Sequence, residues 1–167
     1  SPGVGSGLHL AGELFKQHTG TDLLHVAYKG TAPALTDTVG GIVPLMFTNL
    51  PAALPFIQNG KLVAIGITEA QRSPVAPNIP TLAEQGVQGV NVTSWYGLMA
   101  PAGTPAPVAE QLAKDAADIL SKPDVQEKLK VQGMSQSTMA PAAFAKAIKD
   151  ETAVWAGIIK ARHIVAE

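Results

Sequence analysis

The residues of this chain with the clearest chemical potential carry no charge. Three times, Gly, Ser, Thr or Asn stands just ahead of an expected helix start. The first such run is Ser1-Pro2-Gly3-Val4-Gly5-Ser6, before Leu8 to Phe15. The second is Val26-Ala27-Tyr28-Lys29-Gly30-Thr31-Ala32-Pro33, and the third is Pro44-Leu45-Met46-Phe47-Thr48-Asn49-Leu50-Pro51. In the latter two an extended apolar stretch leads in. A helix start leaves backbone N–H groups without partners and points the positive end of the helix dipole outward. Several such ends facing one crevice hold a carboxylate or phosphate without help from Lys or Arg. The pattern predicts a binder of small organic anions.

Each of these residues also has a plainer reading. Gly3, Gly5 and Ser6 could form only a turn and a cap. Thr31 could cap its helix, although a cap still leaves other N–H groups free, and Ala32 would let a ligand approach the backbone closely. Asn49 fits a ligand contact and an N-cap equally well. Lys29 reads better as a solvated side chain.

The chemistry of an enzyme finds less support. His9, His18, His25 and His163 include no His-x-x-x-His pair of a zinc helix, and each taken singly reads as structural or surface. There is no Gly-x-Ser-x-Gly elbow and no phosphate-binding Gly-x-x-x-x-Gly-Lys run. Glu13, Asp22 and Asp37 could pair as acid and base, but nothing in the sequence brings them together. No metal or cofactor is expected.

Composition sets the frame for these sites. The 167 residues suffice for a real core, in one domain or two small lobes. Charged residues make up 15%, below the usual ~25% of soluble domains, and 46% are hydrophobic. The net charge of −1 offers no basic surface, so no nucleic-acid partner is expected. The absence of cysteine excludes disulfides, thiolate metal sites and cysteine nucleophiles. No apolar run reaches the ~18 residues of a membrane span. No signal peptide is expected among these residues, which open at Ser1 on a glycine-rich loop, and a preceding segment is expected.

The elements that must position the three devices follow from periodicity and punctuation. A helix is expected from Ser6 to His18 with Ser6 as its N-cap and Gly20 as its stop. Strand Leu23–Tyr28, helix Thr31–Val39, strand Val43–Phe47, helix Leu50–Gln58 and strand Leu62–Thr68 follow. This alternation with short connections predicts a parallel α/β layer, with the three devices at the carboxyl edge of its strands. Pro74, Pro77 and Pro80 then mark a loop, Thr81–Gln85 a short helix, and Val90–Met99 an extended segment. Trp95 and Tyr96 read as packing residues. Thr104 is expected to cap a helix that has Pro105 in its first position and runs to Ser121. A further helix opens at Pro123, with Val125 and Leu129 inward. The last starts near Pro141, with Phe144, Ile148, Trp155 and Ile159 as its apolar stripe.

Several of these stretches resemble one family. Ser1-Pro2-Gly3-Val4-Gly5-Ser6 with His9-Leu10-Ala11-Gly12-Glu13-Leu14-Phe15 is similar to the Bug-type, or TctC-like, solute-binding receptors of tripartite tricarboxylate transporters. So are Val26 to Leu35, Met46 to Pro51, Arg72-Ser73-Pro74, Pro80-Thr81, Glu84, Ser94-Trp95-Tyr96-Gly97 and Ala100 to Pro105. The similarity extends over essentially the whole chain.

The resemblance implies a two-lobed periplasmic protein that closes on a small organic carboxylate, delivers it to membrane transporter subunits and catalyses nothing. The implied fold is α/β, a lobe like those of type II periplasmic binding proteins with a parallel or mixed sheet flanked by helices. C-terminal helices of the other lobe would complete the chain. Residues 1–95 would form the ligand-binding lobe, incomplete at its N-terminus, and residues 96–167 the crossover and the helical part belonging largely to the other lobe. The implied ligand-binding set is Gly3, Val4, Gly5, Ser6, His9, Gly30, Thr31, Ala32, Thr48 and Asn49.

Two departures from the family matter. Family members are roughly twice as long, so the chain reads as a C-terminal fragment whose exposed lobe surface would favour self-association. Many relatives also carry Asp where this chain has the neutral Thr48, which predicts a ligand without an amino group. Two other readings compete: a hydrolase or isomerase with a similar anion hole, and a self-associating interaction module.

Overall fold

The computed structural model describes residues 1–165. The last two residues of the expected 96–167 segment lie outside it. Among the described residues, six helices follow in order: α1 (Gly7–Thr19), α2 (Thr31–Val39), α3 (Leu50–Gln58), α4 (Ala106–Leu120), α5 (Pro123–Val131) and α6 (Pro141–Ala161).

The chain divides into two compact units. One comprises Ser1–Ser94 together with the chain from Trp155 onward, and the other comprises Trp95–Val154. The end of α6 therefore packs in the first unit. There Leu14, Leu82, Val90 and Ile158 are buried together, with Phe15, Val87, Val92 and Trp155 against them. Of the expected α6 stripe, Trp155 joins this core, but Ile158 rather than Ile159 is its buried partner.

The helix boundaries follow local chemistry. The Ser6 hydroxyl accepts the His9 amide at 3.1 Å, and Gly20 ends α1 in the left-handed conformation at φ 68°. Pro105, not Thr104, is the N-cap of α4. Thr104 turns its hydroxyl back to donate to the Pro101 carbonyl.

The expected helix over Thr81–Gln85 is a turn. Thr81 and Glu84 exchange side-chain and backbone hydrogen bonds in a capping box, at 2.7 and 3.1 Å. The amides of Gln85 and Val87 both return to the Leu82 carbonyl, and Gly86 follows at φ 88°, so the turn closes before a helix can propagate. Arg72 grips Glu84 and the Pro77 carbonyl, tying the proline-rich loop to that turn.

The expected sheet is where structure and sequence part. Among the described residues, segments 23–28, 43–47 and 62–68 form no strand ladder. Their backbone pairs only at isolated points. Ile67 and Thr81 form one parallel bridge. The Ser1 N–H donates to the Val26 carbonyl while the Tyr28 N–H donates to the Ser1 carbonyl, which is the same parallel exchange. A strand needs a neighbour at ladder distance, and among the described residues these segments exchange no backbone hydrogen bonds with one another. Their side chains are correspondingly bare: Leu24 is 92% exposed and Val63 87%.

In the second unit α4 packs on α5. Trp95 donates its indole N–H to Glu151 at 2.6 Å and meets the Phe144 ring edge-on at 5.2 Å. Trp95 thus packs on Phe144 while remaining about half exposed, and Tyr96 is exposed. Val108, Leu112 and Ile119 of α4 are about half exposed.

Candidate functional site

The three devices lie in the first unit, and direct contacts join their loops. The Gly30 amide donates to the Pro2 carbonyl at 2.8 Å, which links the Gly3–Ser6 loop to the start of α2. Phe47 packs on α1, its ring 5.8 Å from that of Phe15 and against the backbone of Gly12, so it anchors the segment that leads into Thr48. Helices α2 and α3 pack on each other.

The glycines singled out by the sequence do not offer their amides. The Gly3 N–H goes to the Ser1 hydroxyl, the Gly5 N–H to His9 Nδ1 at 3.1 Å, and the Gly30 N–H to Pro2. Their role is conformational. Gly30 sits at φ 121° and Gly5 at φ 73°, backbone that other residues adopt only under strain. The free donors are next door. Among the described residues no acceptor takes the amides of Val4, Gly7, Leu8, Thr31, Ala32 or Leu50. Helix periodicity and Pro/Gly punctuation predicted the helix starts, but not which amides the surrounding loops would consume. Gly7, Leu8 and Leu50 could have been found from the helix boundaries alone, since the first amides of any helix lack an internal partner.

The side chains divide in the same way. Ser6 is used twice within the protein, accepting from His9 and donating to the Gly3 carbonyl at 2.8 Å. Asn49 is the N-cap residue of α3 but makes no side-chain cap, and its Oδ1 accepts from Ser94 at 3.4 Å. No side chain caps α2 either. The Thr48 hydroxyl oxygen is buried with no hydrogen-bond partner among the described residues. Native structures rarely leave such a group unpaired, and each instance asks for a reason.

His9 is 7% exposed and sits behind the loop. Its ring stacks on His25 with centroids 3.8 Å apart and planes 14° from parallel. Burial lowers the pKa of both rings, and the adjacent His9 helps to bring His25 to about 4. Glu13, also buried, faces His9 Nε2 at 3.8 Å but is engaged by Lys16 at 2.8 Å and Arg162 at 3.6 Å. Asp37 accepts from the Tyr28 hydroxyl. The described residues contain no group of three or more His, Asp or Glu able to hold a metal ion. They contain no helix long and apolar enough to cross a membrane.

Comparison with known proteins gives this arrangement its context. The sequence profile of the tripartite tricarboxylate transporter family receptor matches residues 1–164. The chain belongs to this receptor family. Such proteins are periplasmic solute-binding receptors and not enzymes. A curated relative, the UPF0065 protein in the tcbD-tcbE intergenic region of a Pseudomonas species, is 37% identical over 160 residues, or 95% of this chain and 48% of the relative. A solved R. palustris structure with adipate is 35% identical with a TM-score of 0.85, and the match covers 98% of this chain and 55% of that one. MatC from Rhodopseudomonas palustris with bound malate is 32% identical with a TM-score of 0.79, covering 93% and 54%. The chain thus shares the α/β fold of these receptors and spans about half the length of the proteins it matches.

Proposed function

We propose that this chain is the part of an extracytoplasmic solute-binding receptor that grips a small organic carboxylate on backbone amides and one hydroxyl. The observation that carries the reading is the unpaired, buried Thr48 hydroxyl immediately ahead of α3, in the unit where α1, α2 and α3 all begin with untaken amides. A carboxylate supplies the acceptors these donors lack, and the helix dipoles favour its charge without a lysine or arginine.

The adipate and malate named for the two R. palustris structures support a dicarboxylate as the first probe. Thr48, being neutral, gives an ammonium group no opposite charge to pair with, so the ligand is one without an amino group. In a receptor of full family length, residues 1–95 serve as the gripping lobe, and residues 96–167 belong largely to the other. Segments 23–28, 43–47 and 62–68 become strands of its parallel or mixed sheet. The partners of that receptor are the membrane subunits of a tripartite tricarboxylate transporter, and its compartment is the periplasm. The bare apolar side chains of the extended segments also make the chain, as isolated, self-associate. A monomeric mass by light scattering at micromolar concentration would count against that last point.

Calorimetric titration of a full-length receptor carrying this sequence with adipate, malate and their amino-substituted analogues tests the main reading. Tighter binding of the unsubstituted acids is expected. Binding of the amino-substituted acids alone refutes the role given to Thr48, and no binding of any small carboxylate refutes the function.

A further inference from the structure

The His9–His25 stack is more than the anion-binding reading requires. The Gly5 amide is a donor, so His9 Nδ1 must be unprotonated to accept it. Neutral His9 then carries its proton on Nε2, toward Glu13. His25 Nε2 lies 2.6 Å from the Ser1 hydroxyl, which in turn contacts both the amide and the carbonyl of Gly3. The two rings therefore hold the Gly3–Ser6 loop from both ends, His9 at Gly5 and His25 through Ser1 at Gly3.

The surroundings do not welcome a proton. The charged groups facing the pair are Glu13 and Lys16 from α1, with Arg162 from beyond α6 reaching it through Glu13. Glu13 is the only anion among them and already answers two cations, Lys16 and Arg162. A proton on His9 Nδ1 would set one N–H against another and break the Gly5 bond. Protons on both rings would place two cations 3.8 Å apart.

We propose that the stacked His9–His25 pair is a proton-operated latch on the Gly3–Ser6 loop. While both rings are neutral, the loop keeps the conformation in which the Val4, Gly7 and Leu8 amides stand free. A proton taken up by the pair releases Gly5 and with it the loop. His9 and His25 are thus positioning residues, and carboxylate capture is lost on acidification and restored on return to neutral pH. This inference rests on the loop's place in the anion site. Its test reads the loop without any ligand, so that it stands or falls separately from the receptor function.

The test is a nuclear magnetic resonance titration of the ¹⁵N-labelled chain from pH ~8 to ~4, a range that brackets the ~6.5 of a free imidazole. The Gly5 amide and the His9 ring nitrogens are expected to shift together, with a midpoint well below that of a free imidazole. In His9→Gln a side-chain carbonyl keeps an acceptor for Gly5 but cannot titrate, so its Gly5 signal should stay fixed. A Gly5 signal that ignores the imidazole titration, or one that moves as much in His9→Gln as in the parent, overturns the proposal. If His9→Gln does not fold, His25→Phe decides. It keeps a ring on His9 but removes one titration, and a Gly5 profile identical to the parent's overturns the latch.

Discussion

Replacing Thr48 by valine should stabilise the protein and weaken ligand capture at once. Valine has nearly the shape of threonine with a methyl in place of the hydroxyl. In the folded chain that hydroxyl is buried without a partner, whereas in the unfolded chain water satisfies it. Burying an unpaired hydroxyl costs about 1–3 kcal/mol by protein mutational measures. Thr48→Val removes that cost and leaves the packing around Phe47 and α3 unchanged, so a gain of at least ~1 kcal/mol is expected. For a domain of this size, each kcal/mol moves the melting temperature by roughly 2–4 °C. Calorimetric or circular-dichroism melts of the two chains without ligand provide the measurement. A hydrogen bond to a charged partner is worth about 1.5–3 kcal/mol, so adipate binding by the full-length variant should weaken roughly ten- to hundredfold. A melting temperature that falls or does not move refutes the claim that the hydroxyl is unsatisfied. A raised melting temperature with unchanged affinity would uphold the burial argument and refute the ligand contact.

Four further expectations follow from the same contacts. Ser6→Ala removes the cap of α1 and the clasp to the Gly3 carbonyl, and should cost about 0.5–2 kcal/mol in urea unfolding; an unchanged midpoint would mean the cap is not formed. Ile158→Ala opens a cavity among Leu14, Leu82 and Val90 and should cost ~2–5 kcal/mol, whereas Ile159→Ala, at a more exposed position, should cost far less; equal losses would contradict the observed face of α6. A Cβ at Gly12 would meet the Phe47 ring at 3.3 Å, so Gly12→Val should overpack the site's support by about 1–3 kcal/mol and weaken adipate binding of the full-length receptor; a gain in stability would show the ring free to move. Finally, folding holds the His25 pKa near 4, below its unfolded value, so the folded state binds fewer protons in between. Stability is full above pH ~6.5 and falls as the pH drops toward the folded value, and His25→Phe should flatten that slope in urea melts at several pH values.

Local rules made much of this protein legible from its sequence. The bounds of α2 and α3 follow from Gly30, Pro33 and Gly40 and from Asn49, Pro51 and Gly60, because capping and punctuation act over a few residues. Ser6 is an N-cap for the same reason, and Gly30 needs its place because only glycine accepts that backbone at little cost. The Thr81 turn misled because its capping box is genuine while the helix it normally introduces is cut short by Gly86. The family, too, was readable from the motifs, since it rests on the same loops.

What only the tertiary structure decided concerns partners distant in the sequence. Whether an amide is free depends on which carbonyl the rest of the fold brings to it. Pro2 took the Gly30 amide and His9 took that of Gly5, while the Val4, Thr31 and Ala32 amides beside them have no acceptor among the described residues. Local pattern cannot show that His9 and His25, on a helix and an extended segment, stack on each other. Nor can it show that the end of α6 returns to pack on α1. The largely apolar stretches 23–28 and 62–68 have strand chemistry but no ladder among the described residues. A helix closes its hydrogen bonds within its own sequence, whereas a strand acquires them only from a neighbour that the fold supplies.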